Sequence, residues 1–449
     1  MKIALILPAI GKIPGEKYIR AWQMEPLPIA QIAALTPDRH QLVFYDDRME
    51  EIDYNCDADL VGISIETYTA LRAYQIASEF KKRNKTVVMG GFHATLCPDE
   101  VADHADSVVI GQAEGSWPAL LADFEAGKLK KKYSMPPPES ALKIIPDRTI
   151  YGKRNYIRLN LIEAGRGCKF RCEFCSIQQF FEGDHFTRPV DVIIEELTML
   201  RKNKRLIFFV DDNITSDVAY AKELFQRLIP LKIKWVGQAD ITIARDPELL
   251  KLMVRSGCQG VLIGFESLNP ENLKQMNKAF NAIEGGPREA VRIIHKHGLR
   301  LYGTFLYGYS NDQPEDFKQI IDFCINNKIF IVGFNHLTPF PGTPLYQRLS
   351  GQNLMLYPKW WLSTDYRYGR IPFKTELDNA VIEKQSRDAR RKFYGFRSIF
   401  YRMTNLTNIS NPLMLLFYFT INLMLRNDSS KRMRFPLGDR SRSYDINNT

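Results

Sequence analysis

Short apolar runs rich in β-branched residues recur through the first quarter of the chain, at 2–7 (KIALIL), 42–46 (LVFYD), 60–65 (LVGISI), 86–90 (TVVMG) and 107–110 (SVVI). Stretches with helical periodicity, such as 70–84 and 116–126, lie between some of them. Strand and helix signals that alternate in this way predict a doubly wound, Rossmann-like α/β domain on a parallel sheet. The loops at its C-terminal strand ends, 64–69, 90–93 and 111–117, are where such sheets bind ligands. A proline-rich break, Met135-Pro-Pro-Pro138, closes this domain. The pattern therefore assigns 1–126 to the first domain and 127–155 to a linker.

A second alternating series follows, with strand signals at 157–163, 206–212, 233–238, 260–266, 301–306 and 330–336. Amphipathic segments at 190–202, 217–229, 247–256 and 286–297 separate them. Six β/α units predict a partial (β/α)6 TIM-like barrel over 156–349, with its chemistry at the C-terminal strand ends. A less regular, mainly helical region, 350–449, completes the chain.

With 449 residues, 45% apolar and 25% charged, the chain is long enough for several cores and excludes collagen, coiled coil and disorder. Seven cysteines are too few for a disulfide scaffold, and the N-terminal apolar run is too short for a secretory signal. The chain reads as cytoplasmic, its thiols reduced and free to bind metal. The net charge of +10 is concentrated at the end, with twelve Lys/Arg against four Asp/Glu from Ser386 onward.

Directly after the first barrel strand stands Gly165-Arg-Gly-Cys-Lys-Phe-Arg-Cys-Glu-Phe-Cys-Ser176, which sets Cys168, Cys172 and Cys175 in a C-x3-C-x2-C spacing. Three thiolates in one short loop can converge on one centre and leave one coordination position open. A [4Fe–4S] cluster ligated this way keeps one iron free for a small ligand, whereas structural zinc wants four closed ligands, with His185 a conceivable fourth. Cys258 and Cys324, in apolar surroundings, read as core residues.

The spacing, its place after the first barrel strand and the aromatic Phe174 before the last cysteine resemble the radical S-adenosylmethionine (radical SAM) enzymes. The resemblance implies that S-adenosylmethionine binds the open iron through its amino and carboxylate groups and is cleaved by one electron to a 5′-deoxyadenosyl radical. Relatives carry a Gly-Gly-Glu segment on the second strand that holds the methionine amine, where this chain has Asp211-Asp212-Asn213. Phe174 in the cysteine loop and Asp212, Gln238, Glu266 and Ser267 at strand ends are the expected cofactor contacts, with helix capping as the competing reading for Asp240 and Ser267.

The first domain, with Pro26-Leu-Pro-Ile, Asp59-Leu-Val-Gly-Ile-Ser, Val88-Met-Gly-Gly-Phe-His93 and Val109-Ile-Gly-Gln-Ala-Glu-Gly115, resembles the cobalamin-binding domain of class B radical SAM methylases. Glycine pairs suit the close backbone approach of a corrin and its nucleotide tail. Ser64, Glu66, Thr67, Gly90, Gly91, His93, Gly111 and Glu114 are the expected contacts. The Asp-x-His-x-x-Gly motif of cobalt ligation is absent, so His93 is expected to line the pocket or cap a helix rather than bind cobalt. Against these stands a flavodoxin-like fold without ligand. Methylthiotransferases are set aside, because Cys56 and Cys97 cannot build a second three-cysteine cluster.

The implied function is cobalamin-dependent C-methylation of an unactivated carbon in a lipid or other small secondary metabolite, with flavodoxin or ferredoxin as electron donor. The alternatives are a non-methylating cyclase, ring-contraction or rearrangement enzyme, which the layout also resembles, and a cluster protein without turnover. Residues 334–346, with their Pro-x-Pro-Gly-Thr segment, are expected to roof the substrate. The basic, aromatic stretch 386–402 lacks any nucleic-acid module, so nucleic acid is not an expected partner. The apolar segment 413–425 is too short to span a bilayer. It reads either as a core helix or as a peripheral membrane contact helped by Arg402, Lys431, Arg432 and Arg434.

Overall fold

The computed structural model describes residues 1–433 and 435–440, the side chains of 427–431 excepted. The chain forms two compact units, one of Met1–Leu159 with Tyr357–Tyr368 and residues 435–440, the other of Asn160–Leu356 with Gly369–Met433.

In the first unit, β1 (Lys2–Leu7), β2 (Gln41–Asp46), β3 (Leu60–Ser64), β4 (Thr86–Gly90), β5 (Ser107–Val109) and β6 (Lys132–Tyr133) form one parallel sheet in the order β2-β1-β3-β4-β5-β6. Ile3–Ile6, Val61, Ile63, Val87–Met89 and Val108 are buried on both faces, as their unbroken apolar runs require once helices cover the sheet. The helix Ala70–Lys81 supplies Leu71, Ile76 and Phe80 to that cover. Strand order reverses between β1 and β3, so the loop after Ser64 stands at the topological switch point.

Two parts of this unit depart from the sequence expectation. Lys132–Tyr133, inside the expected linker, is the sixth strand, and Tyr133 is buried. Two residues beside a run of lysines carry too little apolar pattern to be read as a strand. Residues 357–368, expected to belong to a separate C-terminal region, pack into the first unit through aromatic rings. Tyr68 meets Trp360 at 4.9 Å and Tyr368 at 4.6 Å between centroids, and Trp22 meets Tyr368 at 4.8 Å.

In the second unit, β7 (Leu159–Ile162), β8 (Leu206–Phe209), β9 (Trp235–Ala239), β10 (Cys258–Glu266), β11 (Arg300–Tyr307) and β12 (Ile331–His336) lie in sequential order, and the four pairings from β8 to β12 are parallel. This is the order of a partial (β/α)6 barrel. Burial alternates along the strands. Ile207, Phe209, Trp235, Val261, Ile263, Phe265, Phe305, Val332 and Phe334 are buried toward the helices, where Phe225 stacks on Trp235 and Phe323 meets Phe265 and Phe305. The intervening Phe208, Val236, Gln238, Leu262, Thr304 and Leu306 stay half-buried, so the inner face is accessible. Helices return to the sheet under local control: Asp217 caps Val218–Leu228, Asp246 caps Pro247–Arg255, and Asn269 caps Pro270–Gln275.

The open edge at β12 is closed by side chains. Tyr394 Oη donates to Val332 O and accepts from Val332 N, and Arg390 donates to Phe334 O. Arg402 donates to Ile329 O, Phe330 O and Phe393 O at 3.0 Å and to Asn422 Oδ1 at 2.9 Å, with no exposed surface left. It is therefore not available to lipid, which corrects the sequence expectation: its charge is spent on carbonyls just before β12 and at the end of Asn379–Phe393. The expected helix around 386–402 is two, Asn379–Phe393 and Phe396–Met403, broken at Gly395. Residues 413–425 fall inside Pro412–Arg432. Tyr418, Asn422 and Leu425 of that helix pack inward while Leu413 and Leu416 are exposed, so it is not a fully buried core helix. Among the described residues, no helix is long and apolar enough to cross a membrane. The Lys431 side chain and Arg434 lie outside the described residues.

Candidate active site

The cysteine loop leaves the C-terminal end of β7 through a small arch, Gly165–Gly167 paired antiparallel with His185–Thr187, and ends at the short helix Ser176–Phe180. Gly167 has φ +81°, and a Cβ there would stand 2.1 Å from Asp184 O, so only glycine turns the chain into Cys168. Two acids, Asp211 buried and Asp212 half-buried, brace the arch from the end of β8. Ala164 N donates to Asp211 Oδ2 and Gly167 N to Asp212 Oδ2, both at 3.0 Å. Burial pushes Asp211 up to about 8 and Asp212 up to about 7, against the pull of these amides. Asp212, nominated for the methionine amine, thus already holds the amide next to Cys168.

Four further contacts clamp the loop. Glu173 N donates to Met276 O at 3.1 Å, and Asn277 Nδ2 donates to Arg171 O at 2.7 Å. Leu345 N donates to Glu173 O at 3.1 Å, and the Arg348 guanidinium donates to Glu173 Oε1 at 2.8 Å. Both come from Pro344–Gly351, capped by Thr343 Oγ1, which accepts from Tyr346 N. The Pro-Gly-Thr segment, expected to roof the substrate, builds this clamp. Phe174 packs against the barrel core. Stacking of Phe170 on Phe280, 3.7 Å between centroids, holds the loop's first half.

Burial pushes the Cys172 thiol up to about 11 and the Cys175 thiol up to about 12, and each is pushed further by its cysteine neighbours. Lys278, which sequence reasoning missed, opposes this at Cys172. Its ammonium is 2.7 Å from Glu266 Oε1, with Glu266 buried and Lys278 largely covered. Glu266 ends β10 at φ +62° after a register shift between Gly264 and Glu266. A Cβ on Gly264 would meet Glu266 Oε1 at 2.1 Å and Lys278 Nζ at 2.8 Å, so that glycine makes room for the pair. The only sequence signal was a lysine twelve residues beyond a strand-end glutamate.

The other nominated strand-end groups are also partnered. Gln238 Nε2 donates to Asp211 O at 3.2 Å. Asp240 caps Ile241–Arg245 and accepts from Asn213, and Ser267 Oγ accepts from Asn269 N at 3.0 Å. His185, the conceivable zinc ligand, sits opposite Gly167 in the arch rather than in the loop, its pKa lowered by burial.

On the inner face, a Cβ on Gly333 would meet Tyr302 Oη at 3.2 Å and Asn335 Nδ2 and Thr304 Cγ2 at 3.4 Å, so three polar side chains converge there. Tyr302 is 37% exposed, yet crowding by protein raises its hydroxyl pKa. A group on the wall of a recess satisfies both.

In the first unit the glycine loops after β3, β4 and β5 are tied together. Gly91 has φ +114°, and a Cβ there would stand 2.7 Å from Ile65 O. Thr95 Oγ1, also missed from the sequence, donates to Gly91 O and accepts from Gly111 N. Above Gly111, at φ +74°, a Cβ would find open space. Ser64, Gly90, Gly91 and Gly111 are half-buried and Glu66 is exposed, whereas Thr67 and Glu114 are buried. His93 has no exposed surface: Nδ1 meets Thr67 Oγ1 at 3.3 Å and Nε2 meets Glu100 Oε1 at 3.0 Å. It does not line a pocket, correcting that expectation. Burial alone would raise Glu100, but hydrogen bonds from His93, Trp361 and Tyr74 hold it down at about 2.

Two family models match the chain, the B12 binding domain over residues 23–121 and the radical SAM superfamily over 162–324. A bacteriochlorophyllide d C-12(1)-methyltransferase of Chlorobaculum tepidum is 32% identical over 340 residues, covering 72% of this chain and 73% of that one. The chain belongs to the cobalamin-binding radical SAM enzymes. The C-8(2)-methyltransferase of the same organism is 30% identical, with 73% of this radical SAM chain and 77% of that one covered. The fold is that of TsrM, a radical SAM methyltransferase from Kitasatospora setae solved with cobalamin and a [4Fe–4S] cluster, at TM-score 0.62, 14% identity, and coverage of 96% and 99%.

The residues fit the family's cofactors. Three half-buried thiols in one clamped loop, with Cys172 and Cys175 costly to ionise alone and a fixed ammonium beside them, suit a cluster that supplies its own positive charge. Strand-end amide and carboxyl groups suit S-adenosylmethionine, and glycine loops at a switch point, with open space above Gly111, suit cobalamin.

Proposed function

We propose that this enzyme transfers a methyl group to an unactivated carbon of a large, mainly apolar small molecule, a tetrapyrrole or polycyclic lipid being the chemical type. The clamped three-cysteine loop beside an accessible, mostly apolar inner face carries this reading. When bound, the cluster and S-adenosylmethionine supply one-electron chemistry that activates a C–H bond, and cobalamin carries the methyl group.

Cys168, Cys172 and Cys175 hold the cluster, and Asp211, Asp212, Glu173 and Arg348 keep their loop in one conformation. Gln238, Glu266 and Ser267, with Asp212, border S-adenosylmethionine. Ser64, Glu66, Gly90, Gly91 and Gly111 border cobalamin, with Thr67 and Glu114 behind them. Phe208, Val236, Leu262 and Leu306 shield the reacting carbon from water, while Tyr302, Thr304 and Asn335 bind an oxygen or nitrogen of the substrate and fix which carbon faces the cofactors. Flavodoxin or ferredoxin supplies electrons. We place the enzyme in the cytoplasm, at the inner face of the membrane into which such substrates partition, with a cobalamin-binding domain over 1–126 whose sheet extends to Tyr133, a barrel over 156–349 and a C-terminal region 350–449 of which 357–368 joins the first unit.

The test is anaerobic turnover with S-adenosylmethionine deuterated in its methyl group. The expected result is a product carrying the intact deuterated methyl, with both S-adenosylhomocysteine and 5′-deoxyadenosine formed. 5′-Deoxyadenosine without S-adenosylhomocysteine, and a product altered without added carbon, would overturn methylation in favour of cyclisation or rearrangement.

A further inference from the structure

Exposed apolar side chains collect in one short stretch of the second unit. Of the fifteen large hydrophobic residues exposed among the described residues, eight lie between Phe396 and Leu423. Phe396, Phe400 and Tyr401 stand on the helix Phe396–Met403, with Leu406 just beyond it at 77% exposure. Leu413, Leu416, Phe417 and Leu423 stand on Pro412–Arg432, at the spacing of a single helical face. The two helices present one surface, since Phe400 meets Phe419 at 5.7 Å and the Arg426 guanidinium lies 4.6 Å over the Phe396 ring.

This surface is not an unfinished core. The opposite faces of both helices are fully engaged: Tyr418 Oη donates to Ile399 O at 2.7 Å, and Asn422 accepts from buried Arg402. Charge separates the occupants that would cover it. Residues 389–426 contain five Lys/Arg besides the buried Arg402, and no Asp/Glu. Arg397 is exposed beside Phe396, and Lys328 lies 5.5 Å over the Tyr401 ring, at the edge of the apolar face. Leucine and phenylalanine flanked by aromatic rings and cations, with acids excluded, match the boundary of an anionic bilayer. A second copy of the same face would set like charges against one another.

We propose that this two-helix face, wider than the 413–425 segment, docks on an anionic lipid surface, with Leu413, Leu416, Phe417, Phe400 and Leu406 entering the headgroup boundary. The inference concerns the surface alone and does not depend on methyl transfer. The experiment is flotation of the full-length protein with vesicles of phosphatidylcholine, with and without phosphatidylglycerol. The expected result is roughly tenfold or greater partitioning onto the anionic vesicles, weakened by salt. Leu413→Glu with Leu416→Glu should lower it by roughly tenfold or more, and so should the separate variant Leu406→Glu, with circular dichroism and melting unchanged because these side chains touch solvent. No binding, equal binding to neutral vesicles, or a concentration-dependent dimer abolished by the same variants would overturn the proposal, the last in favour of a second copy.

Discussion

The ion pair between Arg348 and Glu173 offers a sharp test of how the cysteine loop is held. Glu173 lies between Cys172 and Phe174, its side chain 16% exposed, and accepts from Arg348 at 2.8 Å. Arg348→Met keeps the aliphatic bulk, the Thr343 cap and the backbone bond from Leu345, and removes only the charged contact. A partly buried, charge-assisted hydrogen bond contributes about 1.5–3 kcal/mol. Arg348 is 32% exposed, which argues for the lower end, so local opening of the loop should rise roughly tenfold. The assay is iron release from anaerobically reconstituted protein to a ferrous chelator, with thermal melting in parallel. Iron loss should speed up roughly tenfold with little change in melting temperature. Glu173→Gln should act similarly, and the double variant should be no worse than either single one, since both remove one contact. Unchanged iron release in both single variants would refute the clamp.

Lys278→Met removes a positive charge beside Cys172 and Cys175; the reduction potential of the cluster, measured by electron paramagnetic resonance titration, should fall by roughly tens of millivolts. Glu100 titrates near 2 in the folded state and near its ordinary value unfolded, so it stabilises above about pH 4.5 and loses that contribution as pH falls toward 2. Glu100→Gln should flatten the acid side of a denaturant-midpoint profile followed by tryptophan fluorescence. Gly91→Ala, which forces a Cβ to 2.7 Å from Ile65 O, should abolish cobalamin binding in a visible titration. Gly111→Ala, with open space ahead, should cost only the backbone preference of about 1–2 kcal/mol. Tyr302→Phe should raise KM for substrate more than it lowers kcat.

Elements carried by continuous apolar runs were legible in the sequence. The five strands from Lys2–Leu7 to Ser107–Val109 and the six of the barrel follow the periodicity to within a few residues, because burial on both faces or on one face leaves a strong pattern. The cysteine triad was legible because its signal is local spacing. What was not legible depends on partners distant in sequence. Lys278 acquires its role from Glu266 and the cysteine loop, Glu173 from Arg348, and Trp361 from Glu100, 261 residues away. Arg402 was expected at a lipid surface and His93 at a pocket wall or helix cap, yet both are buried in hydrogen-bond networks that no local pattern announces. The C-terminal region looked irregular because it serves two units in turn: its aromatic stretch completes the first, and its helices cover the edge of the second.

Whether one chain carries both cofactors decides the function, and the direct measurement is iron, sulfide and cobalt per chain after anaerobic reconstitution with cobalamin present, read with the visible spectrum. About four irons and about one cobalt per chain are expected. About four irons with no cobalt would contradict cobalamin-dependent methyl transfer and leave the glycine loops of the first unit without a ligand.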